Sequence, residues 1–583
     1  MTRIAGVFFC LCGFLILLAG CASSPPVILS VTPTSATVFS SETVQLTATD
    51  SAGDADVDWS VTSIPGVAGI ASTYIDANGT FTAPTVTQPT SITVVATSHR
   101  DPTKTASATI NVFPNGQVTA TNNPQVAQYT LNLPSGTNAY IQFGTDTSYK
   151  LNTWTQPAPA SGPLSFYVAG MLASTQYHMR AVLPGPNGSM ITDVDHTFTT
   201  QAVPAAQIPP VTTTTTQGMT PQSGVEVLDL LIGPSGSSPL AAFDLSGNLL
   251  WSYPALSSGS VQGVHLLPNG HFLFGDSPSA LMEVDLAGNT IQQETLAQLQ
   301  TAFNNQGLNY TLNAFHHDVI GLPNGHWIAL FNMYVACSAI ANCSGLGNIL
   351  GDGIVDLAPQ GDGTFLPVWT WSTFDHLDIN RAPQGYPDWT HSNALVYSPD
   401  DGNLLLSIRH QSWIIKIDYE NGAGSGAILW HLGSQGDFTL QGGTDPYDWF
   451  YMQHGPSFTT TNTTGQFGLA VFDNGNDRPT QPGCTSGCTY SRGVTFQIDE
   501  TAKTAGIVTD FRPMEYSFWG GNAEQLANGN LEADFNAGAT SGYSNIFEVT
   551  PGSSPQVVWK LSTGNANAYR GFRLPSLYPG VQW

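Results

Sequence analysis

From residue 243 to the C-terminus one short pattern keeps returning: an Asp in a tight turn, a Gly three residues on, and a Trp four beyond that. Phe243-Asp244-Leu245-Ser246-Gly247-Asn248-Leu249-Leu250-Trp251 is the cleanest copy. Looser copies stand at Val284-Asp285, Val355-Asp356 through Trp369, Ile417-Asp418 through Trp430, Ile498-Asp499 and Glu548-Val549 through Trp559. Hairpin turns lie between them at Leu267-Pro268-Asn269-Gly270, Leu322-Pro323-Asn324-Gly325, Ser398 to Asn403, Asn462-Thr463-Thr464-Gly465 and near Leu526. A unit of short strands cannot bury its apolar face alone, so its copies must stack on one another. Six units between residues 220 and 583 predict a six-bladed β-propeller, with seven blades the lesser alternative because two spacings are long. An α/β barrel would need amphipathic helices, and only Thr295 to Asn304 has that pattern.

Histidines fall at a similar place in three of these units: Phe315-His316-His317-Asp318, Thr390-His391-Ser392-Asn393 and Gln453-His454-Gly455-Pro456. If the units close into a ring, residues at matching places meet near its axis, and distant imidazoles share one pocket. The chain is acidic, with 15 Lys plus Arg against 41 Asp plus Glu and a net charge of −26, which disfavours nucleic acid and anionic lipid surfaces as partners. A pocket for an anion must therefore supply its own positive charge.

The N-terminus reads as a processing signal. Arg3 precedes an apolar run from Ile4 to Leu18, which ends in Leu18-Ala19-Gly20-Cys21 and resembles a bacterial lipobox. On that reading residues 1–20 are a signal peptide and Cys21 is the lipidated first residue of an exported protein. Ala22-Ser23 lacks the aspartate that retains lipoproteins at an inner membrane, which points to an anchor in the outer membrane. Residues 21–26 form a tether. Residues 27–113 alternate apolar and Thr/Ser residues around Trp59, as in a bacterial Ig-like β-sandwich. Residues 114–201 include Gly170 to Arg180, which resembles the tyrosine-corner strand of a fibronectin type III sandwich. A Pro/Thr-rich stretch at 202–219 reads as a linker, so the expected fold class is all-β: two sandwich modules and then a propeller. Four cysteines remain in two close pairs, and an oxidising compartment predicts the disulfides Cys337–Cys343 and Cys484–Cys488.

Phe315-His316-His317-Asp318 with its Leu-Pro-Asn-Gly turn, Thr390-His391-Ser392-Asn393 with Ser407-Ile408-Arg409-His410, Gln453-His454, Phe472-Asp473-Asn474-Gly475-Asn476 and the closing Tyr569-Arg570 are similar, in that order, to the arylsulfotransferase family. The resemblance covers about residues 220–583. It implies an exported enzyme that moves sulfate from an aryl sulfate to a phenol, with no nucleotide donor and no cofactor. By the same resemblance the transfer histidine falls on His454, the sulfate-binding pair on His391 and Asn393, the arginine on Arg409, and an earlier histidine on His316 or His317. The family's late hydroxyl donor has no clear equivalent in Ser517 to Asn522.

The residue chemistry agrees with that reading. Sulfuryl transfer spreads charge over three equatorial oxygens and needs positioned donors, which Arg409, Asn393 and histidine N–H groups can supply. Neutral imidazole is a competent nucleophile, and a second histidine can pass the phenol proton. Phe315, Trp389, Trp413, Trp449 and Phe458 could hold an aryl ring. A metal held by His316, His317, His391 and His454 is a lesser reading with no obvious carboxylate partner. A non-catalytic adhesin and an aryl sulfate hydrolase are the alternative functions. If Cys21 carries a lipid, Cys21→Ala should release the protein from salt-washed membranes into the soluble fraction; retention in the membrane pellet would remove the anchor.

Overall fold

The computed structural model describes residues 27–583 apart from 52, 54–55, 63–70, 205–207, 233–237, 255–258, 309, 341–342, 344, 461–464 and 537–541. The lipobox at residue 21 and most of the turn at 462–465 lie outside the described residues. The chain forms two compact units. One runs to Asn115 and includes Asn132–Pro134 and Gly185–Asp193; the other holds Gly116–Leu131, Ser135–Pro184 and Val194–Trp583.

In the first unit Thr90–Ser98 pairs with Val57–Val61 and with Thr105–Phe113, and Ser35–Phe39 joins the edge in parallel. Alternate residues Ile92, Val94 and Ile110 face inward onto Phe81. Trp59, expected to anchor this core, is only half-buried at its margin.

The second unit begins with Gln117–Ala120, Ala127–Leu131 and Leu164–Val168 in one sheet and Asn138–Gly144 paired with Gln176–Pro184 in another. Tyr177 Oη accepts the Leu172 N–H at 2.9 Å, closing the corner that its sequence suggested. Six further sheets follow. Their innermost strands are Val225–Leu231 with Asn567–Leu574 in the first, then Ser260–Leu266, Thr311–Gly321, Ser392–Ser398, His454–Phe458 and Ala523–Gln525. The first sheet draws Asn567–Leu574 from the C-terminus, antiparallel to Val225–Leu231. Thr212–Thr215 pairs with Trp559–Ser562 at the edge of the sixth. The stretch read as a linker at 202–219 is thus partly a strand; β-branched threonines suit an edge strand whose side chains face water on one side. Helix is scarce, and Leu296–Asn305 is the longest described, capped by Thr295 and Gln298 in a capping box.

The repeated motif now has a physical meaning. Asp244 Oδ1 accepts the N–H groups of Ser246 and Asn248 at 2.9 and 2.8 Å, and Gly247 takes a φ of 85° to complete the turn. The motif tryptophans then latch neighbouring sheets. Trp251 Nε1 donates to Leu286 O at 2.7 Å, Trp430 to Glu500 at 2.8 Å and Trp559 to Leu245 O at 3.0 Å. In the third sheet the latch is Trp371, bonded to Gly426 O at 2.9 Å, rather than the expected Trp369, which packs on Tyr419. The inner strands are also stitched in sequence, for example Asn393 Nδ2 to Gln453 O at 2.7 Å and Asn522 Nδ2 to Gly571 O at 2.6 Å.

One buried ion pair ties these inner strands together. Arg570 Nη1 reaches Asp318 Oδ2 at 3.3 Å, its Nη2 donates to Asn393 O, and its N–H donates to Asp229. Asp318 also accepts the Leu395 N–H at 2.9 Å and lies 3.2 Å from His265 Nε2. Burial opposes the charge on Asp318, but Arg570 and these hydrogen bonds outweigh it, and the carboxyl titrates below its ordinary range. Asp318→Ala should cost about 3–5 kcal/mol, because it strands a buried guanidinium. Denaturant unfolding of the variant measures this; a loss under 1 kcal/mol would mean that the pair carries little of the assembly.

Candidate active site

The inner strands are irregular where they carry the motif residues. Between Phe315 and Val319 the strand slips two residues against its partner, throwing His316, His317 and Asp318 out of the ladder. Smaller slips occur between Ser392 and Ala394 and between His454 and Ser457. A bulge re-aims the side chains it carries. His317 and His391 also take left-handed backbone, with φ of 61° and 51°. Non-glycine residues there cost on the order of 1–3 kcal/mol, strain that clusters at functional sites. Gly455, at φ 43°, is needed for room: a Cβ there would stand 2.5 Å from the Cβ of Asn522.

These devices bring the predicted residues together. The ring centre of His317 lies 5.0 Å from that of His391 and 5.7 Å from Tyr569, and His454 lies 6.0 Å from Tyr569. Arg409 is buried nearby, with Nη1 2.9 Å from His410 Nε2 and Nη2 donating to Phe518 O at 3.2 Å. Among the described residues it forms no salt bridge, and its Nε has no hydrogen-bond partner. Burial lowers its pKa, though not enough to threaten its charge. A buried guanidinium without a carboxylate is costly unless an anion completes it.

The histidines differ in their supports. His454 Nδ1 lies 2.7 Å from Asn474 Oδ1, and burial with the charge of Arg409 holds the ring well below its ordinary pKa. His317 is likewise pushed well down, by burial and then by His316 and His391. His391 Nδ1 instead faces Asp388 Oδ2 at 2.5 Å. His316, whose orientation the sequence left open, sits behind His317, with Nδ1 2.6 Å from that ring and Nε2 3.3 Å from Asp352. It is therefore His317 that meets His391 and Tyr569. Asn393 is fully buried; its Nδ2 commits one of two N–H groups to Gln453 O, and its Oδ1 has no partner among the described residues.

Several residues were missed. Tyr569 has a buried hydroxyl with no partner, and burial raises its pKa, only partly countered by Arg570. Its place in the closing Tyr-Arg motif was the available signal. Phe518 and Trp519 flank the site, Phe518 beneath Arg409 at 5.9 Å and Trp519 stacked on Tyr569 at 6.4 Å. Of the aromatics proposed from sequence, Phe315, Trp389 and Trp449 are fully buried in cores, and Trp413 carries Arg381 on its face. His410, the last residue of the Ser407-Ile408-Arg409-His410 motif, stacks on His391 at 4.6 Å. Asp388, His391 and His410 offer three donor atoms within 4.8 Å of one another, a set able to hold a divalent metal. The Asp473 to Asp477 stretch is committed elsewhere: Asp473 binds Arg478 and Arg492, Asn474 supports His454 and Asn476 donates to Phe518 O. Both cysteine pairs are disulfide-bonded. A separate, mainly apolar cavity of about 340 Å3 includes Asp318, Arg570 and Phe458 in its lining but none of these site histidines.

A profile of the family described as Arylsulfotransferase (ASST) matches residues 215–570. No curated protein matches the chain. Solved structures similar to it include a protein of unknown function from Bacteroides caccae, at 14% identity over 60% of this chain and 98% of that one with a TM-score of 0.35. Another is the major Malassezia sympodialis allergen Mala s 1, at 11% identity over 61% and 96% with a TM-score of 0.30. Arg409→Ala should lose about 2–4 kcal/mol of transition-state stabilisation, and Arg409→Lys should recover little because a point charge lacks the planar fork. Near-wild-type kcat/KM for sulfate transfer in a folded Arg409→Ala protein would take the anion-binding role from it.

Proposed function

The chain belongs to the arylsulfotransferase family, and from that premise we propose that it transfers a sulfuryl group from an aryl sulfate ester to a phenol in two steps through His454. The observation that carries this reading is a buried guanidinium with no carboxylate partner among the described residues, Arg409, beside two histidines held neutral, His454 and His317. Positive charge beside a neutral nucleophile is what transfer from a sulfate ester needs.

In the first step a ring nitrogen of His454 attacks sulfur as the S–O(aryl) bond breaks, and the phenolate leaves with its electron pair. His391, held by Asp388, delivers a proton to it. Arg409 and the Tyr569 hydroxyl stabilise the equatorial oxygens, a clamp worth most where charge develops. In the second step the acceptor phenol gives its proton to His391 and attacks sulfur, and the S–N bond breaks. Phe518 and Trp519 form the aromatic surface for both rings in turn.

The same reading takes the six stitched sheets as a six-bladed propeller, supported by the Trp latches and by the borrowed strand Asn567–Leu574 that joins first and last units. It takes residues 27–113 and 114–201 as spacer sandwiches, and Cys21 as a lipid anchor on the outer membrane. With donor and no acceptor, one equivalent of phenol should burst out and the peptide containing His454 should gain one sulfo group. Initial rates at several acceptor concentrations should give the parallel lines of a ping-pong scheme. Label on another histidine would remove His454 from the role, and free sulfate in the presence of excess phenol would make the protein a hydrolase.

A further inference from the structure

We propose that Asn474 decides which nitrogen of His454 reacts: it holds the ring as the Nδ1–H tautomer and leaves the Nε2 lone pair as the nucleophile. The inference rests on the reading of His454 as sulfuryl carrier and adds to it a positioning residue and the reacting atom.

The argument begins at the amide. Asn474 is fully buried, and its Nδ2 donates to two backbone carbonyls, Ser517 O at 3.0 Å and Gly520 O at 3.1 Å. Turning the amide over would set its oxygen against both of those carbonyl oxygens and forfeit both hydrogen bonds. Oδ1 must therefore face His454, 2.7 Å from Nδ1. Oδ1 is an acceptor only, so Nδ1 must carry the hydrogen, and in a neutral imidazole the other nitrogen then bears the lone pair. The segment is itself braced: Ser491 Oγ donates to Asn474 O at 2.7 Å and accepts the Ser517 N–H at 2.8 Å.

The partner's lack of charge matters as much as its direction. Asp388 gives His391 a carboxylate partner, whereas the partner of His454 is a neutral amide. An amide gives His454 the same tautomer without drawing a proton onto Nε2. When Nε2 bonds to sulfur and the aryl oxygen departs, positive charge grows on the ring and the Nδ1–H···Oδ1 bond strengthens. Asn474 cannot take that proton, so the ring leaves in the second half-reaction as a neutral imidazole, a far better leaving group than the imidazolate a base would produce. The signal lay in the sequence as Asp473-Asn474-Gly475, which reads equally well as a plain turn.

Histidine-selective 15N labelling of the whole chain, with the signal assigned by its loss in His454→Gln, reads the tautomer directly. Protonated Nδ1 with bare Nε2 at neutral pH is expected; a protonated Nε2 overturns the proposal. In Asn474→Ala the rate constant of the phenol burst should fall about 10–100-fold, the usual effect of losing a partner that orients a histidine, while the burst amplitude stays near one per chain. An unchanged burst rate in folded Asn474→Ala also overturns it, and if that variant does not fold the wild-type tautomer decides alone. A wild-type chain with no burst would bring down the carrier reading and this inference together, whereas a burst with the wrong tautomer brings down this inference only.

Discussion

The buried pair of Asp318 and Arg570 is the constraint on which the arrangement of the second unit turns. Arg570 bonds to the first, third and fourth sheets, and Asp318 adds His265 of the second. Burying two charges is expensive, and the geometry offsets that cost only because nearly every polar atom of the pair has a partner. Residues of the proposed site lie immediately beside it: His317 precedes Asp318, Asn393 supplies a carbonyl to Arg570, and Tyr569 precedes Arg570. The pair thus fixes the spacing of three strands and, with them, the distances among the site's rings.

Around that hub the backbone departs from ideal pairing. The slips at His316–Asp318, at Asn393 and after His454 give up ladder hydrogen bonds, and the left-handed residues His317 and His391 add strain. A regular strand would send neighbouring side chains to opposite faces of the sheet. Bulging lets adjacent residues divide tasks instead, so that His317 faces the site while Asp318 turns to Arg570. The stability lost is recovered in the surrounding sheets, where the Trp latches and apolar inner faces are regular.

Electrostatics then separates the roles of chemically identical side chains. His454 and His317 are kept neutral first by burial and then by neighbouring positive charge, while His391 is given a carboxylate. Arg409 is buried without a salt bridge among the described residues, and burial lowers its pKa against the pull of more distant groups such as Asp388. In an acidic protein of net charge −26, Arg409 and Arg570 supply local positive charge around His454.

How much of this was legible depended on the range of the interaction. Turn residues at fixed offsets, period-two strands and the recurring Asp-Gly-Trp unit are local, so the sequence alone determined an all-β chain of six repeats with little helix, and the order of its histidine motifs singled out His454, His391 and Arg409 as candidates. The same local reading misjudged Thr212–Thr215, whose pairing partner lies more than 300 residues away, and chose core aromatics such as Trp389 and Trp449 over Phe518 and Trp519 as the rings near the site. Which of His316 and His317 faces the pocket is set by a two-residue slip that leaves no mark in composition. The partners Asn474, Asp388 and Tyr569 reach their histidines only when separate strands are brought side by side. The residue types and the turns are written in the chain itself; the two histidines held neutral and an arginine with no salt bridge among the described residues depend on burial and on distances between strands, and those exist only in the folded chain.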